Sequence, residues 1–565
     1  MRRKSFVLRI EELEPRLALS LPASAPPLPA PPPPSASVVW VNTEPALQAA
    51  FKNIQSGETI VIQPGTYNLT STLYIGASRH VTNITVEGAT NNLNDVVLLG
   101  KGMDNSSYGN VPMGISVYNA QNVTIENLSI GDVWYFPIDL QSIQGANDVH
   151  IYHLNLFDAG EQFIKASGGG VGVSNSSVEY TSMQYTAGPP KIDHGGGIGY
   201  TNGIDVKLGT NWTILDNLFE NFHTPDADPS YNHWNPAVLM WDFASNATVE
   251  GNTFINCDRA IAFGLQDQTT GYDFQGGIIS NNFIYQAPGL FSAARRTGSD
   301  GQIIVWDSPG TQVDFNTILT NGNSIDSIQT RWTTTGVAID DNLADAPIGA
   351  RNGSVFTQAG NYLLATPSMF VNPSAGNLNL VLEAATQAHV INQVQPLSSV
   401  LADWNGNPRP AGQLTDIGAD EYVASTNNSP IIVDNGSPGY AETGTGWTNY
   451  GLGYNGTSRY HAPGTGADTA SWQIANLSAG NYAVNVTWPP GANRATNATY
   501  QVYDGTKLLA TVVVNQKLTP TGTIINGTVF QSLGSFAITS GTLRVVLSDN
   551  ANGFVFADAI AVVPG

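Results

Sequence analysis

The sequence predicts an all-β protein, a right-handed parallel β-helix over residues 38–423 followed by an antiparallel β-sandwich over 431–565. Three observations predict it. A short phrase ending in asparagine recurs along the first two thirds of the chain, a second apolar strand recurs in step with it, and beyond residue 430 the pattern changes to short alternating strands. A solenoid produces the first two, because each coil lays one corner and one strand over the same corner and strand of its neighbour.

The asparagine phrases "WTILDNLF", "ATVEGNTF", "GIISNNFI", "TQVDFNTI" and "GVAIDDNL" align on Asn217, Asn252, Asn282, Asn316 and Asn342, at intervals of 35, 30, 34 and 26 residues. "NVTIENLSI" and "DVHIYHLNL" bring Asn127 and His153 to a similar place. Stacked amides at a coil corner bond one another and the turn backbone, so this ladder is structural.

The second strand centres on Ile138, Ile164, Ile204, Val238, Ile261, Ile303, Ile328 and Ile348. In "GIDVKLG", Ile204, Val206 and Leu208 point inward and leave Asp205 and Lys207 outside. Applied to every coil, this alternation sets two outer columns with neighbours about 4.8 Å apart. The first reads Asp139, Lys165, Asp205, Leu239, Ala262, Ile304, Gln329, Gly349; the second reads Gln141, Ser167, Lys207, Trp241, Gly264, Trp306, Arg331, Arg351.

Ahead of the coils, Leu47, Phe51 and Ile54 mark one face of a short helix, well placed to cover the open end of the solenoid. The passage from that helix into "GETIVIQPGTY" (57–67) resembles the opening of the pectate-lyase-like β-helix superfamily. "DWNGNPRPAGQLTDIGADEY" (403–422) resembles the terminal phrase of exported bacterial β-helix proteins, and the coils are expected to close around it. "LEPRLALS" (13–20) resembles the LEPR-type N-terminal segment of exported bacterial proteins. Residues 1–37 then read as an export leader with a proline-rich spacer. The resemblances imply a secreted or cell-surface protein.

After a linker at 424–430, "IIVDNGSPGY", "WPPGANRATNATYQVYDG", "VVVNQ" and "GFVFADAIAVV" resemble the golvesin C-terminal-like domain, an accessory module of xanthan lyases and other exported enzymes. That resemblance implies an attachment or glycan-binding module.

Composition narrows the partners. With 44 acidic and 22 basic residues the chain carries about −22, a field that repels nucleic acid and anionic membranes and leaves carboxylates for hard cations such as calcium. A polyanionic substrate then needs a local basic patch. No apolar run approaches the roughly 20 residues that span a bilayer. The single cysteine, Cys257, reads as a small core residue. The chain is expected to be a monomer.

Three successive coils carry long insertions at one corner, at 184–202, 221–236 and 285–301. These form walls, and the outward columns form a floor between them. The floor holds Lys165, flanked by Asp139 and Asp205, and Lys207, with Ser167 and Trp241 as column neighbours. A lysine beside tryptophan and away from carboxylates suits proton abstraction, so Lys207 is the expected base. Lys165, with Arg259 or a calcium ion held by Asp139 and Asp205, neutralises a uronate carboxylate. His223 or His233, from the second wall, assists the leaving group. Asp205, Trp241, Trp306, His194 and Trp234 bind sugar, the aromatics by stacking. The expected function is an exported lyase that cleaves an acidic, uronate-containing polysaccharide by β-elimination. Two readings compete: a non-catalytic glycan-binding or structural surface protein, and a glycoside hydrolase using Asp139 and Asp205 near the roughly 5–9.5 Å separation such enzymes need. The R-x-x-P-x-x-R phrase of pectate lyases and the G-H-G phrase of polygalacturonases are absent.

Overall fold

A computed structural model describes residues 37–564 apart from 168, 187, 227–232, 411–412, 423–429, 476 and 478–479. The leader therefore lies outside the described residues, except Ser37, which opens a strand (Ser37–Val41) paired with Glu58–Ile62. The linker lies outside them except Pro430, and Asp228 of the second wall is also undescribed. The chain divides into two units between Tyr422 and Val423.

The first unit is the expected parallel β-helix. Among the described residues its main sheet has 28 strands, and the apolar column is in the predicted register throughout: Ile138, Ile164, Ile204, Val238, Ile261, Ile303, Ile328 and Ile348 are successive partners. Two further coils extend it upstream through Ile115 to Leu73. All but Ile348 are fully buried, because each coil covers the apolar centre of the one before.

The asparagine ladder forms as expected. Each side-chain amide donates to the next side-chain oxygen, Asn217 to Asn252 at 2.9 Å, Asn252 to Asn282 at 3.0 Å, Asn282 to Asn316 at 2.8 Å and Asn316 to Asn342 at 3.0 Å. Asn361 adds a further rung at 2.9 Å. Asn127 and His153 pair at 2.9 Å but stand one residue before the ladder position, which the register gives to Leu128 and Leu154.

The helix Glu44–Asn53 is capped by Thr43, whose hydroxyl accepts from the Ala46 amide, and Pro45 sits in its first turn. Leu47, Phe51 and Ile54 are buried on the face predicted for them. Cys257 is buried in the core and its thiol pKa is pushed up by burial.

The terminal phrase is placed differently from expectation. It lies along the side of the coils: Trp404 stacks on Phe283 at 4.7 Å, and Arg409 reaches Glu421, Asn281 Oδ1 and the face of Phe315. The reason is the outward row Leu218, Ile255, Phe283, Leu319, Leu343, an apolar stripe that the phrase covers.

The second unit is an antiparallel sandwich. One five-stranded sheet contains Gly480–Val486, Thr528–Ile538 and Ile560–Pro564; the other contains Thr469–Ile474, Ala498–Asp504 and Leu543–Ser548. Ala498–Asp504 alternates strictly between buried and half-exposed residues, and Trp472, Tyr500, Val484 and Val545 fill the core.

Candidate functional site

The floor columns have the predicted register, so the named side chains are neighbours, yet their partners differ from those expected. Lys165 binds Asp205, and the indole of Trp241 donates to the other Asp205 oxygen at 2.8 Å. Lys207 does have a carboxylate: Asp242, the residue after Trp241, turns back and meets its ammonium at 3.0 Å, while Trp241 lies under the same ammonium at 4.6 Å. Lys207 thus has an anion and an aromatic face beside it, in place of the carboxylate-free surroundings on which its expected role as base rested. The sequence columns hid Asp242 because it has positive φ (55°), which takes it off the strand alternation.

Calcium at Asp139 and Asp205 does not fit these residues. Asp205 has zero exposure and spends its oxygens on Lys165 and Trp241, whereas Asp139 accepts from Ser116 at 2.9 Å and Gln141 at 2.7 Å. Burial pushes the Asp139 carboxyl up against those bonds. Lys165 stands between the two acids in register, which also removes them as an open hydrolase pair.

Trp306 is only 4% exposed and belongs to an apolar cluster with Leu239, Ala262 and Ile304, so it is packed and not a free stacking platform. Arg331 lies over its ring at 4.0 Å and Arg259 at 5.1 Å. Arg259 was expected to help neutralise a uronate carboxylate. Instead it binds Asp300 of the third insertion and donates to the Trp234 carbonyl at 2.6 Å. Arg331 also binds Asp300, and Arg351 approaches the same carboxylate at 3.4 Å. Three guanidinium groups share one acid. Asp326, which accepts from Gln329 at 2.8 Å, also lies near Arg331, and Asp258 lies near Arg259, so the three cations are balanced by acids around them. Arg331 and Arg351 are the partly exposed cations of this cluster. Its signal was present as consecutive Arg331 and Arg351 after Trp306 in one column; Asp300, which gathers them, is legible only in three dimensions.

The second and third walls meet around Asp258, which is fully buried. It accepts from His223 Nδ1 at 2.7 Å and Thr224 Oγ1 at 3.0 Å, and it binds Arg295. Against the cost of burial, the bonds from His223 and Thr224 and the charges of Arg295 and His223 hold its carboxyl below the ordinary value. Arg295 also binds Asp226 at 2.8 Å and lies over Phe291 at 4.5 Å and Trp234 at 4.9 Å. Phe291 stacks on His223 at 5.8 Å and meets Trp234 edge-on at 5.4 Å, so Trp234 stands between this cluster and the Arg259–Asp300 group.

His233 Nδ1 lies 2.9 Å from Thr224 Oγ1. The Thr224 hydroxyl has one proton and gives it to Asp258, so its oxygen accepts from His233 Nδ1–H. That assigns the lone pair to His233 Nε2. Burial, together with the Arg295 charge, lowers the His233 pKa and keeps the ring neutral.

His194 is elsewhere. It is 8% exposed, bonds the Met103 carbonyl at 2.7 Å and packs on Trp134 at 4.1 Å, and so anchors the first wall. Glu161, which sequence reading passed over, lies near Lys165 and Asp205, and burial pushes its carboxyl up to about 7.

No curated protein matches the chain. Among solved structures it is similar to a Paenibacillus xanthan lyase, at 28% identity over 25% of this chain and 14% of that one, with a TM-score of 0.22. It is also similar to the pectate lyase Pel9A, at 10% identity over 69% and 97% with a TM-score of 0.37. A third is the alginate lyase from Paenibacillus sp. str. FPU-7, at 17% identity over 58% and 95% with a TM-score of 0.33. Residues 431–564 match the family model of the golvesin C-terminal domain, in agreement with the phrases that pointed to it.

Proposed function

We propose that this chain is an extracellular polysaccharide-active enzyme that binds an acidic glycan against the outward face of its β-helix and cleaves it by β-elimination. The observation that carries the proposal is the convergence of Arg259, Arg331 and Arg351 on Asp300, a gathering of guanidinium groups in a chain of about −22, joined through Trp234 to a neutral histidine. Arg331 and Arg351, with side chains 18% and 40% exposed, offset the charge of a uronate carboxylate and make its α-proton removable. His233 Nε2 takes that proton. The electron pair forms the new carbon–carbon double bond as the bond to the glycosidic oxygen breaks, and that oxygen receives a proton from His223, whose Nδ1 Asp258 holds at 2.7 Å. No calcium enters this scheme, and Lys165 and Lys207 shape the floor as bound cations.

A non-catalytic glycan-binding role draws on the packing of Trp306 and the burial of Arg259, which suit a rigid binding surface. Incubation with polygalacturonate, alginate, xanthan and chondroitin distinguishes the readings. The proposal expects ultraviolet absorbance from a conjugated unsaturated uronate with one of them. New reducing ends without that absorbance would indicate hydrolysis, and binding with neither product would favour the non-catalytic role. No helix among the described residues is long and apolar enough to cross a membrane.

A further inference from the structure

We propose that an open depression on the sandwich, lined by Tyr440, Glu442, Asn449, Tyr450, Thr457 and Arg459, is a binding site for a neutral sugar. The depression measures about 570 Å³, room for one or two sugar rings. It belongs to the second unit and does not depend on the reading given to the β-helix site.

Its floor is a locked polar fork. Arg459 Nε donates to Glu442 Oε1 at 2.5 Å and Nη2 donates to Oε2 at 2.8 Å, a two-bond guanidinium–carboxylate pair. The Tyr440 hydroxyl adds a bond to Oε1 at 2.8 Å, the Trp447 carbonyl accepts from Nη2 at 2.9 Å, and the Asn449 side-chain oxygen accepts from Nη1. The fork is therefore fixed before any ligand arrives, which reduces the ordering cost of binding. Acceptor oxygens of Glu442 lie side by side with donor nitrogens of Arg459 and the Asn449 amide, and adjacent sugar hydroxyls, each both donor and acceptor, match that alternation.

Two tyrosines frame the fork and are braced from behind. Tyr440 packs on Trp472 at 5.6 Å, and Tyr450 meets Phe556 at 5.2 Å and Tyr460 at 6.3 Å. Both are half-buried, with ring area left at the depression for the apolar face of a sugar. Charge decides the ligand class. Among the described residues, Glu442 and Arg459 are the only charged ones lining the depression and they neutralise each other, so neither offsets the charge of an acidic sugar. The arginine cluster of the β-helix instead presents the partly exposed cations Arg331 and Arg351, and the two units thus take different glycans, an acidic one as substrate and a neutral one as attachment.

Affinity electrophoresis of the full-length protein through gels containing xylan, galactan, glucomannan or laminarin tests this. The proposal expects retardation by at least one of them, reduced at least tenfold in apparent affinity by Tyr450→Ala and by Glu442→Gln. Gly451→Trp is the second probe: a Cβ at Gly451 meets nothing within 4 Å, so the new ring fills the depression without breaking a hydrogen bond, and it is expected to abolish retardation. Absence of retardation by all four glycans, or retardation unchanged in folded Gly451→Trp, overturns the proposal.

Discussion

His233 Nδ1 lies 2.9 Å from Thr224 Oγ1, and this contact fixes which nitrogen of the histidine is basic. The Thr224 hydroxyl donates to Asp258, its oxygen accepts from His233 Nδ1–H, and the lone pair is left on Nε2. A buried acid one residue beyond direct reach thereby sets the tautomer of the base.

Thr224→Val keeps the shape of the side chain and removes the hydroxyl's bonds to Asp258, His233 and Arg295. The ring then loses its tautomer preference, and kcat is expected to fall about tenfold with KM for the acidic glycan changed less than twofold. Steady-state kinetics checks it; a rise in KM alone would make Thr224 part of glycan binding.

Arg331→Ala leaves Asp300 still held by Arg259 and removes a partly exposed cation from the patch. Binding of acidic glycan is expected to weaken about tenfold, with a shallower dependence on salt. Calorimetry at two ionic strengths measures both.

The ladder predicts a position-dependent stability cost. Asn282 accepts from the Asn252 backbone and side chain and donates to Asn316 and the Val249 carbonyl, all buried. Asn282→Ala leaves several of these groups unsatisfied and is expected to cost about 2–4 kcal/mol, against about 1 kcal/mol for the half-exposed end rung Asn361→Ala. Denaturant midpoints of the β-helix transition give the comparison, and equal costs would contradict a cooperative ladder.

Stability is expected to fall as pH rises from about 5 to about 8. Burial raises the carboxyls of Glu126, Glu161, Asp314, Asp341 and Asp420 to about 7, from ordinary values of 4.5 for glutamate and 3.8 for aspartate. Between the ordinary and raised values the folded chain binds more protons than the unfolded one, so each rise in pH favours unfolding. Thermal midpoints across this range test the sign, and a midpoint that climbs with pH would refute it.

Periodicity made the fold readable. Every pair in the isoleucine column and every rung from Asn217 to Asn342 follows from counting, because a coil repeats its neighbour's geometry. Register also placed Lys165 beside Asp205 correctly. What counting could not supply is the partner that leaves the repeat. Asp242 departs through a left-handed residue, Asp300 arrives from an insertion, and Asp258 finds Arg295 across 37 residues. Charge on a solenoid surface is decided by such visitors, so Lys207 read as unpaired and the arginine patch went unnoticed. The side-on path of the terminal phrase was likewise set by an apolar stripe on the outside of the coils, while attention to alternation looks inward.

The most direct test compares His233→Ala with Lys207→Ala in the elimination assay, using whichever acidic glycan the wild type cleaves. The account predicts a loss of at least a hundredfold in kcat for His233→Ala, the scale of a general base, with Lys207→Ala within about threefold of wild type. Full activity in His233→Ala, or its loss in Lys207→Ala with glycan binding intact, would contradict it.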